Sequence, residues 1–148
     1  MHHRQVIALL LLCSAFTQAS STPNSATCAL TDEQFLAATN TLRDWPAIHS
    51  FYKTHFPQCP NDGFYAAGYS EVVVRTLATS WHQIDELAAA THGSSRFKKF
   101  VLRHITASTE EADLRVILAN ATSDCSKANA ALCLQIRRAA GKAVKEVK

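Results

Sequence analysis

From residue 28 onward, apolar residues recur at intervals of three and four, the pattern of helices that each bury one face. Thr31 with Gln34 reads as a capping box that opens a helix over about residues 32–43. Asp44-Trp45-Pro46 starts a second, because proline is tolerated in a first turn. There Ile48, Phe51, Tyr52 and His55 share one face, and Pro57 and Pro60 end the helix. Asp62 is expected to cap a longer helix through Phe64, Tyr65, Tyr69, Val72, Val73 and Leu77. Ser80 is expected to cap its continuation through Trp81, Ile84 and Leu87, closed by Gly93.

Ser94 or Ser95 opens a shorter helix with Phe97, Phe100, Val101 and Ile105. Ser108 with Glu111 forms the pattern of a second capping box, ahead of Leu114, Ile117 and Leu118. A last helix over about 127–144 turns Leu132, Ile136 and Val144 inward. Val72-Val73-Val74 is the single strand-like run, and no turn signals flank it. The predicted class is all-α, a compact bundle of five to six helices.

The first nineteen residues follow another pattern. A positive start, Met1-His2-His3-Arg4, leads into the apolar run Val6 to Phe16 and then Thr17-Gln18-Ala19, with small residues suited to cleavage after Ala19. Those three parts in that order make an export signal. The run is too short to span a hydrocarbon core, which takes about 20 apolar residues. Cys13 is preceded by Leu12 rather than a small residue, which argues against a lipoprotein. The expected organisation is a signal peptide over 1–19, a polar flexible lead-in over 20–27, and a single helical domain over 28–148.

Export also changes the cysteine arithmetic. Of five cysteines, Cys13 leaves with the signal, and Cys28, Cys59, Cys125 and Cys133 remain. An even set in an exported chain points to disulfides. Two helices joined by a short loop lie antiparallel, which brings Cys28 toward Cys59. Cys125 and Cys133 are close enough in sequence for a local bridge. The expected pairing is therefore Cys28–Cys59 and Cys125–Cys133. No cysteine or histidine set has zinc-ligand spacing, so no metal or other cofactor is expected.

Charge narrows the partners. Removal of the signal takes Arg4 and no acid, leaving 14 basic against 12 acidic side chains. That near-neutral balance argues against nucleic acid, which calls for a clustered basic face. The concentration of cations noted is Arg137, Arg138, Lys142, Lys145 and Lys148, suited to the C-terminal end of a last helix. Catalytic patterns are missing: no nucleophile elbow, phosphate loop or Cys-His signature occurs. His82, Asp85 and Glu86 share a helix face without completing a metal motif, and Glu110-Glu111 suits a helix start. The chain is not expected to be an enzyme. His55 and His104 each sit among apolar neighbours. Asn120-Ala121-Thr122 is a glycosylation sequon, relevant only in a eukaryotic secretory route.

The segment Asp62 to Glu71 is the most distinctive. Tyr65 and Tyr69 stand at i, i+4 beside Gly68, and Glu71 can pair with Arg75. Aromatics with polar tips are frequent in binding surfaces. Tyr65, Tyr69 and Glu71 are accordingly the candidate binding surface. The alternative is that both tyrosines belong to the core and Gly68 permits a close helix crossing.

In size, export signal, helical layout and cysteine use, the chain resembles the small periplasmic immunity proteins of type VI secretion, especially the helical amidase-immunity family. That resemblance implies a periplasmic binding protein that neutralises a cell-wall-degrading effector, and it carries over no particular residues. The expected partner is another protein, with a homodimer also open, in the periplasm or outside the cell. A carrier of a small apolar ligand, or an enzyme of unrecognised type, are the alternatives. No membrane-spanning segment is expected in the mature chain.

Overall fold

The computed structural model describes residues 28–59 and 61–147. The expected signal over 1–19 and lead-in over 20–27 lie outside the described residues. The described residues are all-helical, with α1 (Asp32–Thr41), α2 (Trp45–His55), α3 (Gly63–Thr79), α4 (Ile84–His92), α5 (Ser95–Arg103), α6 (Glu111–Ser123) and α7 (Ala130–Glu146). Short 3₁₀ turns, Trp81–Gln83 and Lys127–Asn129, precede α4 and α7. Seven helices exceed the expected five to six, because the tract after Ser80 is a separate helix rather than a continuation of α3.

Local chemistry places several of these boundaries. The Thr31 box forms in both directions: Gln34 N–H donates to Thr31 Oγ1 at 3.2 Å, and Thr31 N–H to Gln34 Oε1 at 3.0 Å. Asp44 Oδ1 accepts from Ala47 N–H at 2.8 Å, and Ser94 Oγ from Phe97 N–H at 3.2 Å. Each satisfies a backbone donor that a helix start leaves open.

Four expected signals act differently. Ser108 does not cap α6; its hydroxyl is shared with Thr106 Oγ1 at 2.7 Å, while Thr109 Oγ1 donates to Thr106 O at 2.7 Å. Glu110 holds the cap position without a side-chain bond, and Glu111 and Asp113 lie in the first turn, where acids favour the helix dipole. Asp62 and Ser80 stand at caps without side-chain hydrogen bonds. Gly93 ends α4 at φ −74°, not in the left-handed form, because Ser94 at once begins α5.

The Val72-Val73-Val74 run lies within α3, and all three side chains are buried. Three consecutive buried positions need cover on more than one side of a helix, and α3 packs on both α1 and α6. Helices α6 and α7 pair, α4 packs on α2 and α5, and α5 reaches α7. The core continues from Phe35, Trp45 and Ile48 through Leu87, Phe97 and Val101 to Leu114, Ile117 and Ile136.

Both disulfides form as expected, Cys28–Cys59 and Cys125–Cys133. The first does not depend on an α1–α2 hairpin alone, since α3 is the main neighbour of α1. The reason for that pairing is Gly68. A Cβ at that position would lie 2.5 Å from Phe35 Cε1, so the bare backbone lets the ring seat against α3. No described helix is long and apolar enough to cross a membrane.

Candidate functional site

The expected surface of Tyr65, Tyr69 and Glu71 is not a single surface. Tyr69 is 2 % exposed and lies among Phe35, Phe56, Phe100 and His104, with ring centroids 5.1–5.6 Å away. Burial, reinforced by Tyr65, pushes its phenol up to about 12. Tyr65 is half-buried and donates to Asp32 Oδ1 at 2.8 Å, tying α3 to the start of α1. That bond, before burial, raises the Tyr65 phenol. Glu71 is exposed and lies 3.6 Å from Arg75, whose Nη2 donates to Thr39 O and Leu42 O at 3.1 and 3.3 Å. A cation there completes the carbonyl end of α1. The phase of α3 turns Tyr69 inward because α1, α2 and α5 all converge on it.

Other singled-out residues are also dispersed. His82, Asp85 and Glu86 are exposed, and Asp85 Oδ1 accepts from Asn129 Nδ2 at 2.6 Å, linking α4 to the turn before α7. Among the described residues no group of three His, Cys, Asp or Glu side chains is arranged to hold a metal ion. His55 packs against Phe51 at a tilt, centroids 4.6 Å apart. The cations Arg137, Arg138, Lys142 and Lys145 line one side of α7, with Lys142 placed 3.6 Å from Glu146.

A second cationic concentration lies on α5, which carries Arg96, Lys98, Lys99 and Arg103 and no acid. Arg96, Lys99 and Arg103, at i, i+3 and i+7, share one face. They rim a groove of about 250 Å³ whose walls include Tyr52, Phe56 and Phe100. Among the described residues, none of the four cations has a carboxylate within ion-pairing distance. The groove rests on a cluster of tilted rings: Tyr52 meets Phe56, Phe97 and Phe100 at centroid distances of 4.9, 5.1 and 4.8 Å. Phe97, Phe100 and Val101 point into the core, so burial of one face of α5 forces the cations outward.

Asn61 and Arg103 also belong to an adjoining cleft of about 360 Å³, between the start of α3 and the α5–α6 connection. Ser70, His104, Thr106 and Ser108 complete its polar wall. Ser70 Oγ lies 2.9 Å from His104 Nδ1 and donates to Ala66 O at 2.9 Å. The imidazole shares this contact through Nδ1, which leaves Nε2 as its second hydrogen-bonding atom. That Nε2 is buried and has no partner among the described residues, and the same holds for Asn61 Oδ1. Burial first, and then Arg103, push His104 down to about 4, while the Ala66 carbonyl opposes them. His104 is therefore neutral at physiological pH.

Ser70 Oγ is within hydrogen-bond distance of a backbone carbonyl as well as the imidazole, and no described carboxylate is hydrogen-bonded to His104. Cations and aromatic walls lie outside, and the open polar atoms lie within. No protein-family model, curated protein or solved structure matches the chain. The α5 cations are readable in the sequence as Arg96, Lys98, Lys99 and Arg103, interleaved with the phenylalanines that fix their direction. Ser70 and His104 stand 34 residues apart, and no local spacing signals their pairing.

Proposed function

We propose that this chain is a binding protein of an extracytoplasmic compartment, and that it engages an acidic surface of another protein through the α5 face. The observation that carries this reading is the row Arg96, Lys99 and Arg103, unpaired with acids among the described residues and set beside Tyr52, Phe56 and Phe100. Arginine and aromatic side chains around a groove are the composition of interface anchors. Cations free of internal partners complement and steer an acidic partner. Export is supported by the Met1–Ala19 pattern and by two disulfides, which persist in oxidising compartments. The inhibitor form of the reading, with a cell-wall-degrading enzyme as partner, rests on the resemblance in size, export and cysteine use. The aromatic side chains support the carrier reading less, because they pack on one another.

The test is affinity capture from the extracytoplasmic fraction of the producing cell, using the native protein and the variant R96E/K99E/R103E. The native protein is expected to retain an acidic protein that high salt releases and that the folded variant fails to hold. Inhibition of that partner's cell-wall hydrolysis would establish the inhibitor form. Equal capture by both proteins, or no capture by either, overturns the α5 reading.

A further inference from the structure

We infer that the cleft behind α5 is a binding site for a small polyhydroxylated carboxylate, such as a sugar acid. Three observations meet there. The first is a pair of open polar atoms. Asn61 Oδ1 and His104 Nε2 are both buried without a hydrogen-bond partner among the described residues, in the wall of one cleft, and His104 is only 2 % exposed. Buried polar atoms are nearly always satisfied, and one left open costs about 1–3 kcal/mol. Two open polar atoms call for a ligand that brings hydrogen-bonding groups.

The second observation is the inner contact. Ser70 Oγ lies 2.9 Å from His104 Nδ1 and burial keeps the imidazole neutral, so Nε2 offers one hydrogen bond, given or received according to the tautomer. Hydroxyl groups, which both donate and accept, match that demand. The third is Arg103, exposed at the rim of the same cleft and without an acidic partner among the described residues. A guanidinium binds a carboxylate through two parallel hydrogen bonds. Thr106 and Ser108 add hydroxyls that both donate and accept. About 360 Å³ lies in the range of small-molecule sites and accommodates a single sugar ring.

Glucuronate and gluconate are suitable probes. Sorbitol lacks the carboxylate, acetate lacks the hydroxyls, and inorganic phosphate reports binding to the cations alone. Titration would be followed by calorimetry and by the ¹⁵N signal of His104 Nε2, which shifts when that nitrogen enters a hydrogen bond. Glucuronate or gluconate is expected to bind and move the His104 signal, with sorbitol, acetate and phosphate each much weaker. Arg103→Gln, an exposed change, is expected to weaken binding about tenfold or more, and Asn61→Ala likewise. The double variant R96E/K99E, which disables the α5 face but not the cleft, is expected to retain sugar-acid binding, separating this site from the protein-binding reading. No binding of either sugar acid at millimolar concentration overturns the inference. So does binding that leaves the His104 signal in place, or phosphate binding as tight as glucuronate.

Discussion

Gly68 sits opposite Phe35, and a Cβ there would meet the ring at 2.5 Å. The ring has nowhere to go, because Phe51, Phe64, Tyr65 and Tyr69 surround it at centroid distances of 4.9–6.0 Å. Alanine would gain about 1 kcal/mol of helix propensity, but overpacking a filled core costs about 1–3 kcal/mol. Gly68→Ala is therefore expected to lower stability by about 1 kcal/mol in urea unfolding, and Phe35→Leu in the same chain to absorb part of that loss. Strict additivity of the two would show that they do not touch in solution. His104 makes a second prediction at this scale. Its pKa falls from 6.5 unfolded to about 4 folded, so between those values the unfolded chain binds the extra proton. Its contribution is fully present above pH 6.5 and fades as pH drops toward 4. From pH 7.5 to 5 the expected loss is about 2 kcal/mol. His49, also pushed down by burial and then by Lys53, acts in the same direction. His104→Gln should flatten much of this dependence in unfolding measured at the two pH values. An unchanged slope would mean that His104 is solvated.

The helices differ in how their ends are held. Thr31 and Gln34 satisfy each other's backbone donors at the start of α1, whereas α6 begins with no side-chain cap. Thr31→Ala is expected to cost about 1 kcal/mol and Ser108→Ala less, although both positions read as capping boxes. Equal losses in thermal unfolding would contradict the hydrogen bonds described. The contrast also shows where the sequence is legible. Signals that act within three residues, as at Thr31, Asp44 and Ser94, place helix starts correctly. The Ser108 signal misleads because Thr106, two residues away, competes for the same hydroxyl. Helical phase puts Tyr65 and Tyr69 on neighbouring positions but does not say which side a third helix covers, so Tyr69 is readable as surface or core. Pairings such as Ser70 with His104 arise only when α3 meets the end of α5.

Across the whole molecule, the two disulfides close loops of different length, with separations of 31 and 8 residues. In the chain-entropy account they stabilise by about 3–4 and 2–3 kcal/mol respectively. Both pairings are readable in the sequence, Cys28–Cys59 from helix ends expected to converge and Cys125–Cys133 from a separation short enough for a local bridge. Their consequences for the site are not equal. Cys59 lies two residues before Asn61, which walls both the α5 groove and the polar cleft. Cys125–Cys133 instead ties the α6–α7 connection to α7, where it borders a different surface cleft. Cys28→Ala/Cys59→Ala is therefore expected to lower the urea midpoint more than Cys125→Ala/Cys133→Ala and also to weaken binding at the α5 groove and the adjoining cleft. The second pair should cost stability while leaving binding by the remaining folded protein nearly unchanged. Binding measured well below each variant's melting temperature separates the two effects. If both variants lost affinity equally, the segment around Asn61 would be held by α3 and α5 alone, and the first disulfide would serve stability without shaping the site.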